Sequence, residues 1–141
     1  MKKTLLGLLS LVAVEATAQK KPAIAPEDLT GMRAIGSPAN PKIKMAWNNY
    51  ADYTQLTAFC QNLAKAHPDY VKLESIGKSV EGRDLWMLTV TDFKSGNPNR
   101  KPGFFIDGNI HANELQGSEI AMYTAWYLAE NALTIESIKE L

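Results

Sequence analysis

Apolar side chains recur at helical spacing in two segments of the chain. Over residues 52–66 this spacing predicts an amphipathic helix, and Asp52 with Gln55 resembles the capping box that marks a helix start. Residues 116–131 are apolar around much of the helical circumference. A helix with that pattern is buried on most of its surface, so we expect a second helix that is largely covered.

Short apolar runs between these helices predict strands. Residues 71–76 alternate so that one face is wetter than the other, whereas residues 85–90 are apolar on both faces, as in an inner strand. Residues 104–106 form a third short run that ends in turn-forming residues. A last helix is predicted to begin at Thr134. This order predicts the α/β class, with a mixed sheet flanked by helices.

The amino terminus has the pattern of an export signal. Two lysines precede an apolar run over 5–14, and small residues follow it, which predicts a cleavable signal peptide over residues 1–18. The run is shorter than the roughly 20 residues that span a membrane, so a retained anchor is the weaker interpretation. We expect a periplasmic or extracellular protein with no membrane association after cleavage. Residues 19–47 are rich in Pro, Ala, Gly and Lys and are predicted to form a linker or extended arm.

Charge and cysteine content limit the classes of partner and the covalent cross-links that the chain can have. The chain has 15 basic and 15 acidic residues and no basic stripe, which argues against a nucleic acid partner. Cys60 is the only cysteine, so an intrachain disulfide is impossible, and its position on the first helix indicates core packing. Trp47, Trp86 and Trp126 are interpreted as core or near-core aromatics. The sequence does not indicate an oligomeric state.

His111 and Glu114 are the candidate metal ligands. They follow the 104–106 run, where loops after strands commonly gather ligands, and a histidine and a carboxylate three residues apart can converge on one zinc ion. On spacing alone, a hydrogen-bonded structural histidine beside a first-turn glutamate stays the alternative. The only other histidine, His67, precedes Pro68 and is interpreted as a surface or C-terminal helix residue rather than a ligand.

Several motifs in order carry a family resemblance. They lie in residues 75–86, which include Glu81-Gly82-Arg83, at Lys101-Pro102, and in residues 107–119. Together they resemble the zinc carboxypeptidases of the carboxypeptidase A type, from near Tyr50 to Leu141. The resemblance implies that residues 48–141 form only the N-terminal part of such a domain, and Glu81-Gly82-Arg83 is assigned to a loop that supports the sheet.

The resemblance also implies a His-Glu-His zinc site. His111 and Glu114 match its first two ligands, while the third histidine and the general-base glutamate are expected downstream of Leu141. No catalytic residue is therefore assigned within this segment, and its substrate-binding residues stay unassigned. Digestive members carry an arginine immediately before the glutamate ligand, where this chain has Asn113, so substrate preference is open.

The function that these expectations favour is that of a zinc metallocarboxypeptidase, which releases C-terminal residues from a peptide or protein substrate. One zinc ion is the expected cofactor, and the 141-residue segment alone is expected to be inactive. Two alternatives stay open. One is a related zinc amidohydrolase acting on cell-wall peptides or acylated amino acids, and the other is a non-catalytic remnant.

Overall fold

A computed structural model describes residues 36–139 of the chain. The predicted signal peptide over 1–18 and most of the predicted arm lie outside these residues. The described elements, in chain order, are α1 (Tyr53–Ala66), β1 (Val71–Lys78), β2 (Asp84–Val90), a short 3-10 turn (Pro98–Arg100), α2 (Leu115–Asn131) and α3 (Glu136–Lys139). Helices and a sheet share one core, which confirms the α/β class.

The capping box at the start of α1 is confirmed. Asp52 Oδ1 accepts a hydrogen bond from the Gln55 backbone N–H at 2.8 Å, and Gln55 Oε1 accepts one from the Asp52 N–H at 2.9 Å. These two bonds satisfy donors that the first turn of a helix leaves free. The helix therefore begins where the local sequence signal places it.

β1 and β2 form an antiparallel pair, with Val71 opposite Val90 and Ser75 opposite Trp86. β1 continues past its predicted end, through an irregularity between Ser75 and Lys78 that includes Gly77 at φ +149°. Only a glycine adopts such an angle without strain.

The predicted third strand is wrong for the described part of the chain. Residues 104–106 pair with no strand there, and β2 pairs with β1 alone instead of lying inside a sheet. Phe104 and Phe105 are 90% and 80% exposed. An apolar run indicates side chains that favour burial. A strand also requires a neighbouring strand that supplies hydrogen bonds, and the local sequence does not show whether that neighbour exists.

The core lies between α1, α2 and the hairpin. Phe59, Cys60 and Leu63 of α1 meet Val71 of β1 and the buried side chains of α2, which are Met122, Ala125, Trp126 and Ala129. Trp47 and Trp86 pack against this cluster, which agrees with the interpretation of the tryptophans. Ile120 departs from the expected burial of α2, because its side chain is exposed. No helix within residues 36–139 is long and apolar enough to cross a membrane.

Residues 42–51, here called the strap, run along α2 in the opposite direction to that helix. Near its start the Trp126 indole N–H donates to the Ile43 carbonyl at 2.8 Å. Further on, Trp47 packs edge-on against Tyr123, with ring centroids 5.1 Å apart. The strap thus includes residues from the predicted arm, whose boundary at residue 47 stays a prediction.

Candidate metal centre

The loop over residues 107–114 has an unusual backbone. Asn109 and Ala112 have φ angles of 64° and 56°, in the left-handed region that side chains other than glycine seldom adopt. Alanine lacks the short polar side chain that eases this conformation for asparagine. Such conformations persist only where the surrounding structure imposes them, and they cluster at functional sites.

Two glycines hold this loop against the first turns of α2. A Cβ atom on Gly108 would lie 2.4 Å from the carbonyl carbon and oxygen of Gly117, and one on Gly117 would lie 2.8 Å from the Asn109 backbone nitrogen. Either contact is too short to exist, so backbone meets backbone with no side chain between. This close approach fixes where the loop enters α2.

His111 and Glu114 face each other at the end of the loop. His111 Nδ1 lies 3.1 Å from Glu114 Oε1, and the side chains are 74% and 52% exposed. Glu114 is the N-cap residue of α2, yet its side chain makes no capping hydrogen bond, so the carboxylate is available to a partner outside the helix. Two ligands of a tetrahedral zinc ion, each about 2.1 Å from the metal, lie about 3.4 Å from each other. The observed 3.1 Å is close to that separation, and it is also the length of a hydrogen bond between the two side chains.

No third donor accompanies the pair in the described range. Within residues 36–139, histidine, cysteine, aspartate and glutamate side chains nowhere gather in a group of three that could hold a metal ion. His67 lies elsewhere, as the C-cap residue of α1. Of the two predicted positions, the C-terminal helix residue is confirmed and the surface residue is wrong, because the His67 side chain is only 6% exposed and its Nε2 lies 3.1 Å from Oε1 of the buried Glu130.

A cleft of about 490 Å³ opens beside Glu114, and His111 is not among the residues that line it. Glu114 and Asn113 line it, so the residue that replaces the arginine of digestive members borders this space. The other lining residues come from the same loop, from the start of α2 and, across the chain, from the strap: Tyr50, Asp107, Gly108, Asn109, Ile110, Leu115, Gln116 and Gly117. The cleft therefore combines exposed polar groups with apolar side chains.

Two other residue groups from the sequence lie away from the cleft. Arg83 pairs with Glu81 at 2.7 Å and stacks over the Tyr53 ring at 5.5 Å, which suits a loop that ties the hairpin to α1. Cys60 is buried, and burial raises the pKa of its thiol to about 11. A thiol that stays protonated at neutral pH is a poor nucleophile, in agreement with core packing.

Comparison with known proteins places this chain in a family. The family model described as zinc carboxypeptidase matches residues 56–141. The chain belongs to the zinc carboxypeptidase family. Zinc and peptide hydrolysis are the chemistry that this family name implies, and the matched range includes His111 and Glu114.

Individual relatives agree with the assignment. The chain is 28% identical to carboxypeptidase D of Homo sapiens over 127 residues, which are 90% of this chain and 9% of that protein. It is 34% identical to carboxypeptidase B of Astacus astacus over 94 residues, 67% of this chain and 30% of the relative. It is 35% identical to zinc carboxypeptidase A 1 of Drosophila melanogaster over 100 residues, 67% and 22% respectively. The chain thus spans less than a third of the length of each.

Sequence reasoning missed the two carboxylates of α2 that bind the strap. Glu130 Oε2 and Oε1 accept the backbone N–H groups of Lys42 and Ile43 at 2.9 and 2.8 Å, and Glu119 Oε1 accepts that of Ala51 at 2.5 Å. The sequence signal that could have identified them is the position of each glutamate among apolar residues of a helix predicted to be largely buried. A carboxylate in such a place requires hydrogen-bond donors.

Proposed function

We propose that this chain is the N-terminal portion of a zinc metallocarboxypeptidase and that His111 and Glu114 are two of its zinc ligands. The observation that carries the proposal is the 3.1 Å approach of His111 Nδ1 to Glu114 Oε1, on a loop whose backbone is held in place by glycine contact with α2. Family membership supplies the reaction class. Both side chains are exposed, so an ion can reach them from solvent.

The chemistry assigned to this pair is binding and orientation. The His111 imidazole and the Glu114 carboxylate would hold the metal ion. A zinc ion held there supplies Lewis-acid polarisation of the scissile carbonyl and activation of water for attack. Asn113 offers amide hydrogen-bonding groups to the substrate at the cleft, where a cation would select for negative charge.

The third ligand and the general base belong, in this proposal, to sequence downstream of Leu141. Three observations support that placement. No third donor joins the pair among residues 36–139, and His67 is occupied by its contact with Glu130. The two exposed phenylalanines at 104 and 105 add an apolar surface of the kind that further chain covers in a larger domain. A segment that lacks these groups is proposed to be inactive alone.

The proposal includes export. A signal peptide over residues 1–18, an arm over 19–47 and a catalytic segment from residue 48 stay predictions from the sequence, as does a periplasmic or extracellular location. Sequencing the amino terminus of the mature protein tests them. A first residue at Gln19 supports the signal peptide, whereas an intact Met1 contradicts it.

The function is tested on the protein as its native host makes it. We expect a mature mass larger than residues 19–141 account for, about one zinc per chain, and release of single C-terminal amino acids that stops when a chelator removes the metal. Products that are cut cell-wall peptides or released acyl groups indicate the amidohydrolase instead. A mass that residues 19–141 fully explain, with no zinc and no hydrolysis, indicates the non-catalytic remnant.

A further inference from the structure

The strap is fastened to α2 at both ends by carboxylates. Glu130, near the C-terminal end of α2, accepts the N–H groups of Lys42 and Ile43, and Glu119, three turns earlier, accepts the N–H of Ala51. The Glu130 side chain is 4% exposed, and a polar group buried to this extent requires hydrogen-bond partners. The aromatic contacts of Trp47 with Phe59, Tyr123 and Trp126 fill the interval between these two attachments.

The second attachment lies next to the cleft. Tyr50 directly precedes Ala51 and lines the cleft together with Glu114 and Asn113. Asp52, on the other side of Ala51, is fixed as the N-cap of α1. The backbone at Tyr50 is therefore held between two helices, and the path of the Tyr50 side chain into the cleft depends on the hydrogen bond from Ala51 to Glu119.

The Tyr50 side chain has exposed surface at the cleft. It is 55% exposed, and the exposed side chains of Ile110 and Leu115 line the same cleft. Aromatic and aliphatic side chains together form a surface that favours an apolar ligand group, and an aromatic ring adds contact area at little cost in conformational entropy. Polar side chains and two glycines line the rest of the cleft, so these three residues supply its large apolar side chains.

We propose that Tyr50 contacts an apolar side chain of the bound peptide and that Glu119 is the positioning residue that holds it there. The assignment rests on the proposed function, since it requires a peptide in the cleft. It adds a selection of substrate side chain that neither the metal ligands nor the family name specifies. It also gives the strap, which precedes the family match at residue 56, a part in substrate recognition.

The experiment uses the full protein made in its own host, with zinc content measured before kinetics. The experiment compares two peptides that are identical except for the residue next to the scissile bond, which is leucine in one and alanine in the other. In the unaltered protein we expect kcat/KM to favour leucine by about tenfold, carried mainly by KM, as a small change in apolar contact allows. Tyr50→Ala and Glu119→Ala should reduce that preference to about twofold or less.

Matched variants separate positioning from stability. Glu119→Gln keeps an oxygen that accepts the Ala51 N–H and should restore most of the preference. Glu130→Ala loosens the far end of the strap, so it should lower thermal stability and leave the preference unchanged. A protein that retains zinc and cleaves peptides, but whose leucine preference survives Tyr50→Ala, overturns this assignment alone. A protein that binds no zinc and cleaves nothing overturns the proposed function and this assignment together.

Discussion

The strap and the 107–114 loop both depend on α2, but they meet it in different ways. The strap lies along the side of the helix, where its polar backbone groups bind carboxylates and its tryptophan enters an aromatic cluster. The loop meets the start of the helix through Gly108 and Gly117, with no side chain between them. One contact is made by burying side chains, and the other by excluding them.

Because of this difference, the side of α2 mainly affects the stability of the fold, and the start of α2 mainly affects the geometry of the proposed site. The side of α2 contributes buried apolar surface, which is the main favourable term in folding. The start of α2 contributes little burial, because His111 and Glu114 are exposed, yet it determines how far apart these two proposed ligands lie. We therefore expect substitutions along the side to change the free energy of unfolding, and substitutions at the start to change metal binding more than stability.

The largest expected effect is at Trp126. Its side chain is 2% exposed, and its indole N–H binds the strap at the Ile43 carbonyl. Trp126→Ala removes a large buried side chain and leaves that carbonyl without its partner, which should lower the free energy of unfolding by about 3 to 5 kcal/mol. Urea denaturation measures this. Leu133→Ala, at a 69% exposed position, should change it by less than about 0.5 kcal/mol. Similar losses in both variants would contradict the assigned core.

The next effect concerns the chemical reactivity of Cys60. Burial raises the pKa of its thiol from 9.0 to about 11, so at pH 8 the thiolate fraction falls about a hundredfold. Iodoacetamide should therefore alkylate the native protein at least that much more slowly than the urea-unfolded protein, as followed by mass spectrometry. Trp126→Ala should narrow the difference, because loosening the core exposes the thiol more often. Equal rates in the native and unfolded protein would show that α1 is not packed as described.

A smaller stability effect with a larger binding effect is expected at Gly108. Gly108→Ala places a methyl group 2.4 Å from the Gly117 backbone, so the loop must move away from α2. We expect a loss of about 1 to 3 kcal/mol in the free energy of unfolding. Zinc affinity should fall at least tenfold in competition with a chromogenic chelator, because the ligands shift. Gly103→Ala, with open space around the added methyl, is the control. Unchanged zinc affinity in Gly108→Ala would contradict the role assigned to the glycine pair.

The smallest effect is expected at Asp84, in the hairpin and away from both contacts. Hydrogen bonds from Lys78 and Ser75 lower the pKa of its carboxyl below the ordinary 3.8. A carboxyl whose pKa is lower in the folded protein stabilises the fold at pH values above its pKa in the unfolded chain. That contribution is lost as the pH falls through the pKa of the folded protein. Asp84→Asn should therefore be slightly less stable than the unaltered protein at pH 7, and the gap should close by pH 2. A stability difference between the two proteins that widens in acid would contradict the lowered pKa of Asp84.

Local signals in the sequence predicted the helices well. The capping box of Asp52 and Gln55 and the helical spacing that follows it are complete within one segment, and α1 begins and ends where they indicate. His111 and Glu114 also lie close together, 3.1 Å apart, as their spacing allows, but the spacing alone left a hydrogen-bonded structural histidine as the alternative to a metal site.

Features that depend on distant partners could not be predicted. Residues 104–106 have a strand-like pattern, but no sequence signal shows whether another strand lies beside them. The burial of His67 depends on Glu130, which is 63 positions away. The first residues of the strap, 42–47, fall in the segment predicted to be an arm, because the prolines that precede them suppress local periodicity. Composition describes what a segment does alone, and not which surface it meets.

The central claim, that His111 and Glu114 bind zinc, is tested most directly by the zinc content of the protein purified from its native host. We expect about one zinc per chain in the unaltered protein, loss of the metal in His111→Ala and Glu114→Ala, and retention in His67→Asn, which changes the buried histidine. Circular dichroism of each variant confirms that the helices stay folded. Zinc retained at the original level in folded His111→Ala, or an unaltered protein isolated without zinc, would contradict the assignment.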